Sequence, residues 1–227
     1  MIVGSGLVAK AFLPYFADDA AITVFASGVS NSSETRAEEF LREETLLRRA
    51  LERASTLFYF GSCSVLDPEM AETPYVKHKL RMEALVGAAS GRAIFRLPQV
   101  VGRSSNPHLL TNFLYEHVSS GRHFKVWRHA RRNLIDVDDV ATIVTHLVQT
   151  GRVEGGIYNI ASPFSVAIVD IVQAFELVLG RRADYSVGEN GAAYNIDVPE
   201  VLEAASELGI SFDHGYIVRT FRKYYGS

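Results

Sequence analysis

Thr56-Leu57-Phe58-Tyr59-Phe60-Gly61-Ser62, followed about a dozen residues on by Pro74-Tyr75-Val76-Lys77-His78-Lys79-Leu80, decides the reading of this chain. The first run is short, apolar and aromatic, which predicts a buried strand. The second places Tyr75 and Lys79 four residues apart, so on a helix the phenol and the ammonium share a face. An ammonium beside a phenol favours the phenolate and lowers a pKa that is about 10 when unperturbed. Tyr75 is therefore a candidate acid/base near neutral pH, and Ser62 could supply a second hydrogen bond to the same substrate oxygen. A Tyr and a Lys on one helix face are usually an amphipathic edge beside a solvated charge, so the pair alone is a weak motif. Its weight comes from what surrounds it.

Outward from this unit, strands alternate with helices. Ile2-Val3 is a short strand running into Gly4-Ser5-Gly6-Leu7-Val8-Ala9, then a helix that Pro14 is expected to end or kink. Residues 21–26 read as a buried parallel strand and residues 27–33 as a small-polar loop. Residues 34–53 read as an amphipathic helix with Phe40, Leu41, Leu47 and Leu51 on its apolar side. The helix bearing Tyr75 and Lys79 is expected to run to about Ala89. Strands are predicted at 93–97 and 156–160, helices at 109–119, 137–150 and 166–179, and a strand of a small second lobe at 124–127. Such alternation predicts α/β layering around a mostly parallel sheet.

Composition narrows the classes. The 227 residues suit one domain, with or without a small appendage, and allow a real core. A net charge of −3 supplies no global field for nucleic acid or an anionic membrane. The single cysteine, Cys63, excludes an internal disulfide and a multi-Cys zinc site, and the seven His are scattered without metal spacing, so no metal is expected. Cys63 reads as a small packing residue. No run approaches a membrane span, and Met1-Ile2-Val3-Gly4 lacks the basic start of a signal peptide. The expectation is a cytoplasmic protein without nucleic-acid or membrane partners.

Taken in order, these segments resemble an extended short-chain dehydrogenase/reductase of the NAD-dependent epimerase/dehydratase family, in shortened form. Gly4-Ser5-Gly6-Leu7-Val8-Ala9 resembles the glycine-rich dinucleotide turn, and Phe60-Gly61-Ser62-Cys63-Ser64-Val65 the strand end with the catalytic hydroxyl. Tyr75 to Lys79, with Glu83 four further on, resembles the Tyr-x-x-x-Lys-x-x-x-Glu helix. Phe95-Arg96-Leu97-Pro98-Gln99-Val100-Val101-Gly102 is similar to the strand and loop that wrap the nicotinamide. Arg132-Asn133-Leu134-Ile135-Asp136-Val137-Asp138-Asp139-Val140 resembles the segment whose Arg grips a substrate diphosphate.

The resemblance implies a Rossmann-like doubly wound, mostly parallel sheet, shortened, in one NAD(P)-binding domain over residues 1–227. Residues from about 100–132 and 161–227 would contribute a small substrate lobe. It implies Ser62, Tyr75 and Lys79 as catalytic residues. Gly4, Gly6, Leu7, Val8, Ala26, Ser27, Tyr75, Lys79, Pro98 and Val100 would bind NAD or NADP. Ser64, Gln99 and Arg132 would meet a nucleotide-sugar substrate, in an epimerase or ketoreductase of surface polysaccharide biosynthesis, with a homodimer as a possible assembly. Gly4 and Gly6 would let the backbone approach a pyrophosphate at a helix N-terminus, where anions are favoured. Arg122, His123, Lys125, Arg128, Arg131 and Arg132 form a compact basic cluster that reads either as a solvated surface or as a diphosphate clamp.

The departures are informative. The dehydratases of the family carry an Asp-Glu pair after the catalytic hydroxyl, where Cys63 and Ser64 stand here, so 4,6-dehydration is disfavoured. The small-residue ending of residues 21–26 looks like the family's fourth strand rather than its second, which implies that the outer strands covering the adenosine are missing. The acidic residue expected about 20 residues after the glycine turn is absent, and Ala26 and Ser27 stand there. That predicts an exchangeable cofactor with weak NAD/NADP discrimination, unless Arg36 or another basic side chain reaches a 2′-phosphate. Two other readings stay open: a non-catalytic dinucleotide-binding scaffold, and a reductase of a small carbonyl compound.

Overall fold

The computed structural model of the chain describes residues 1–87 and 91–226. The first half runs β1 (Ile2–Val3), α1 (Leu7–Phe16), β2 (Ile22–Phe25), α2 (Ala37–Arg53), β3 (Thr56–Ser62), α3 (Pro74–Val86) and β4 (Arg92–Leu97). Then come β5 (Gln99–Val101), α4 (Leu110–Ser120), β6 (Phe124–Trp127), β7 (Arg131–Asp136), α5 (Val137–Gln149) and β8 (Gly156–Asn159). The remainder is β9 (Ser165–Ala167), α6 (Ile168–Leu179), β10 (Tyr185–Gly188), α7 (Pro199–Leu208) and α8 (Tyr216–Tyr225).

The central sheet has the order β1-β2-β3-β4-β8, and every neighbouring pair is parallel. Alternate residues of each strand feed two cores, as the period of two requires. Val24, Phe58, Phe60, Ala93 and Phe95 pack with Phe12 and Phe16 of α1, and with α5 and α7. Phe25, Leu57, Tyr59 and Ile94 point the other way, onto Leu47 and Ala50 of α2 and Met82 and Val86 of α3. The result is a Rossmann-like, mostly parallel sheet with helices on both faces. A third core, built from α4, α6, α8, β6 and β7, sits beside it and centres on a Phe175–Phe221 stack with ring centroids 4.1 Å apart.

The strand order explains how the shortened chain is wound. From β1 to β4 each step moves one place in the same direction, yet α1 covers one face while α2 and α3 cover the other. The β1–α1–β2 crossover therefore has the opposite hand to the two that follow, against the strong preference for right-handed connections. Among the described residues no strand pairs the free side of β1. The strand at 22–25 lies between β1 and β3.

Several local expectations change. Pro14 lies inside α1, which continues to Phe16, because a proline in the last turn removes one hydrogen bond and little helix remains to break. α3 stops at Gly87, whose φ of 66° ends the helix, and Ala89 lies outside the described residues. On α2 the apolar side is rotated from its expected setting: Leu41 is 64% exposed, whereas Glu43 is fully buried. The short strands β5, β7, β9 and β10 carried no local signal, since they form by pairing with distant segments.

Candidate active site

Consecutive connections that leave to opposite faces open a crevice between the strands they join, at the carboxyl ends, where ligands of such folds bind. That crevice is present here between β1 and β2, as part of a cleft of about 880 Å³. The glycine turn after β1 forms one end. The loop of residues 26–33, the end of β3, α3 and residues 97–100 also line the cleft, as do Arg132, Asn133 and Tyr194.

Of the residues that the resemblance assigned to catalysis, cofactor and substrate, all line this cleft except Gly4. Gly4 stands behind its wall with φ at +131°, where a Cβ would come within 2.5 Å of the Ala26 carbonyl oxygen. It lets β1 and β2 close together at their ends. A Cβ at Gly6 would meet nothing within 4 Å, so this residue faces open cleft. Gly6 is also the N-cap of α1 and offers no side chain to its first turn, where Leu7 and Val8 line the cleft. The free N–H groups of that turn suit an anion.

α3 starts where it does because Thr73 accepts a hydrogen bond from the Val76 N–H at 3.3 Å and Pro74 takes the first helical position. This brings Tyr75 and Lys79 into the cleft side by side, with Nζ 5.6 Å from the Tyr75 ring centroid. Ser62 faces them from the end of β3, its Oγ accepting from the Ser64 N–H at 3.2 Å while its own proton stays available. Ser64, Pro98, Gln99 and Val100 border the same space. Cys63 is buried beside them; burial pushes its thiol up to about 12, which fits packing and not nucleophilic chemistry.

The largest surprise is what holds Lys79. Its Nζ donates to both carboxylate oxygens of Glu43 at 3.0 Å, and the lysine is 2% exposed. Glu43 also accepts from the Val29 N–H and the Tyr59 hydroxyl, each at 2.7 Å, and lies 3.0 Å from His78 Nε2. Burial alone would raise the Glu43 carboxyl, but the Lys79 charge and these hydrogen bonds outweigh it and hold the group at about 2. Burial, with Glu43 beside it, drives the Tyr59 phenol well above its usual value. His78, stacked on Phe40 at 4.6 Å between centroids, is buried in this network rather than at the surface. Gly28 is required next to it, because a Cβ there would meet Lys79 Nζ at 2.7 Å.

The basic cluster separates in space. Arg122 pairs with Glu116, Arg128 lies 3.0 Å from Glu189, Arg131 reaches the Ser165 carbonyl, and Lys125 covers the Trp127 ring. Only Arg132 lines the cleft, and among the described residues no carboxylate pairs with it. Arg36 is engaged too, held bidentately by Glu34 at 2.9 and 2.7 Å, and it is not among the residues that line the cleft. Arg42, one turn and a half further along α2, lines the cleft instead, 3.4 Å from the Ser27 carbonyl and hydroxyl oxygens. Tyr194 is a second addition, its phenol pushed up to about 12 by burial. It comes from the irregular segment before α7, where no periodicity could have flagged it.

The sequence of residues 8–161 matches the model of the NAD dependent epimerase/dehydratase family. The chain belongs to this family. Among curated proteins no relative matches the sequence. Solved structures extend the likeness over nearly all of this epimerase/dehydratase family member. RMD from Pseudomonas aeruginosa complexed with NADPH is 15% identical with a TM-score of 0.70, and the match covers 98% of each chain. UDP-glucose-4-epimerase from Stenotrophomonas maltophila with bound NAD and formylated UDP-arabinopyranose is 18% identical at a TM-score of 0.71, over 98% of this chain and 81% of that one. UDP-glucuronic acid 4-epimerase from Bacillus cereus in complex with NAD is 16% identical at 0.70, over 97% and 76%. At such identities the likeness establishes the fold. The family match covers the glycine-turn helix, Ser62, the Tyr75–Lys79 helix and Arg132, and ends at Ala161 before α6.

Proposed function

We propose that this family member is an NAD(P)-dependent oxidoreductase acting on a nucleotide sugar, as a ketoreductase or an epimerase. What supports this reading most is one convergence. Ser62, Tyr75 and Lys79 line one cleft together with the capless N-terminus of α1 and with Arg132, which no carboxylate pairs among the described residues. The residues fit the pyrophosphate and nicotinamide half of a dinucleotide: open backbone at Gly6, N–H groups at Leu7 and Val8, and apolar flanks at Pro98 and Val100. A bound nicotinamide would supply the hydride acceptor or donor. Tyr75 moves the proton at the sugar oxygen, Ser62 donates a hydrogen bond to that oxygen, and Lys79 holds ribose hydroxyls and the charge environment of Tyr75. Gln99 and Ser64 contact the sugar, and Arg132 binds the diphosphate bidentately. The lobe of residues from about 100–132 and 161–227 closes the sugar end.

Ketoreduction is the better of the two reactions for this chain. An epimerase keeps its cofactor through oxidation and return, which favours many adenosine contacts, whereas a reductase releases oxidised cofactor every cycle. With the free edge of β1 beyond the glycine turn, the adenosine side has fewer walls. Protein purified from cells and denatured is therefore expected to release much less than one equivalent of dinucleotide, while calorimetric titration with NADH or NADPH shows binding. Stoichiometric NAD in the supernatant would restore the epimerase, and no binding of either cofactor would favour the non-catalytic scaffold.

The substrate handle has its own test. Arg132→Ala should weaken UDP or dTDP binding by about 1.5–3 kcal/mol, roughly ten- to a hundredfold, the range for hydrogen bonds to a charged group. Arg122→Ala, which breaks only an exposed pair with Glu116, should change it little. Wild-type protein that binds neither nucleotide would point to a small carbonyl compound as substrate.

A further inference from the structure

We propose that Glu43 is a positioning residue for the Tyr75–Lys79 pair: it fixes the Lys79 ammonium and offsets its charge, and so sets how strongly Lys79 favours ionisation of Tyr75. The proposal rests on the catalytic reading of Tyr75 and Lys79 given above.

Three observations carry it. Glu43 is buried without any exposure, and both of its oxygens lie 3.0 Å from Lys79 Nζ, so a full negative charge sits against the ammonium where water cannot screen it. The carboxylate is held from four sides, by Val29 of the loop after β2, Tyr59 of β3, and His78 and Lys79 of α3. It cannot turn away without leaving several buried donors unsatisfied. Thirdly, Gly28 leaves no room for a side chain beside the pair, so the cleft wall is shaped around this contact.

The other ionisable groups near the pair do not take over this task. Glu83, one turn beyond Lys79, is already neutralised by Arg96 of β4 at 2.9 and 2.6 Å. Tyr59 and His78 are spent on Glu43 itself. Cys63 and Asp67 lie in the turns after β3, with Asp67 accepting from the Glu69 N–H at 3.0 Å. Arg42, Arg132 and Tyr194 line the same cleft, and among the described residues none of them bonds to Lys79 or Glu43. Glu43 is the counter-ion in contact. Without it, the Tyr75 phenolate becomes the nearest anion available to Lys79.

The phenolate of Tyr75 can be followed without substrate or cofactor, by ultraviolet absorbance during an alkaline titration, as the difference between each protein and its Tyr75→Phe counterpart. Glu43→Gln is expected to move the Tyr75 midpoint down by about one pH unit or more, from the uncompensated charge alone. Tyr59→Phe removes one hydrogen bond to Glu43 but keeps its charge; it should lower stability and leave the midpoint within about 0.3 of wild type. Should Glu43→Gln not fold, Glu43→Asp keeps the charge but draws it back by one methylene, and the midpoint falls by a smaller amount. An unmoved or raised midpoint in whichever Glu43 variant folds overturns the proposal. Full turnover in Tyr75→Phe would instead overturn the catalytic reading beneath it, and the two failures cannot be confused.

Discussion

Tyr75→Phe is expected to lower turnover by about 100-fold or more, the contribution of a positioned general acid/base. The substitution keeps the ring, which packs against Val29 and Val76 with Phe40, Val65 and Met70 around them, so the fold and the cleft wall should survive. Only the hydroxyl is lost, and with it the proton that must be given to or taken from the sugar oxygen. Dinucleotide binding should stay within a few-fold of wild type, because Lys79, Gly6 and the first turn of α1 are untouched. Lys79→Met should differ by impairing turnover and cofactor affinity together. Reduction of UDP- and dTDP-ketosugars, followed through nicotinamide absorbance, separates these cases. A folded Tyr75→Phe protein that turns over at the wild-type rate would sink the assignment.

The second large effect is on stability in acid. Glu43 is held at about 2 in the folded protein, against a usual carboxyl value near 4.5. A depressed carboxyl contributes its stability fully above the unfolded value and loses it as pH falls toward the folded one. The contribution should therefore be complete above about pH 5 and disappear progressively between about pH 4.5 and 2, with a total on the order of 3 kcal/mol. Urea denaturation at a series of pH values gives the wild-type slope, and Glu43→Gln should lack this share of it. At neutral pH the same variant should be less stable by about 3–5 kcal/mol, since Lys79 is left buried without its partner. Equal stabilities of the two proteins at pH 7, or parallel losses in acid, would show that the carboxylate does not carry this charge.

What could be read from the sequence, and what could not, follows the range of the forces involved. The β3–α3 unit was legible because its signals are local: an apolar run of strand length and a four-residue spacing. The small residues after β2 implied a sheet that ends early on this side, and among the described residues no strand pairs the outer side of β1. Glu43 was not. It stands in a charged stretch with Glu38, Glu39, Arg42, Glu44, Arg48 and Arg49, where helical periodicity alone predicts a solvated face. That Glu43 turns fully into the interior is decided by donors from β3, α3 and the loop after β2, none of them near it in sequence. The same rotation of α2 exposed Leu41 and brought Arg42, a basic side chain the sequence had not singled out, to the cleft. The basic cluster misled for the opposite reason: residues compact in sequence were sorted by β7 pairing and by surface partners, leaving Arg132 alone at the site. Tyr194 had no periodic context at all.

The two-residue strand β1 is hydrogen-bonded to β2 on one side and, among the described residues, to no strand on the other, yet it carries the glycine turn. The opposite wall of the cleft rests on β3 and β4, paired on both sides. The cleft is thus built from one wall whose strands are paired on both sides and one whose strand is paired on one, with α1 anchoring the glycine turn through Phe12 and Phe16 in the main core. A ligand bridging the turn and the loop of residues 26–33 would tie the edge strand to its neighbour, and its binding would add to the stability of that edge by mass action.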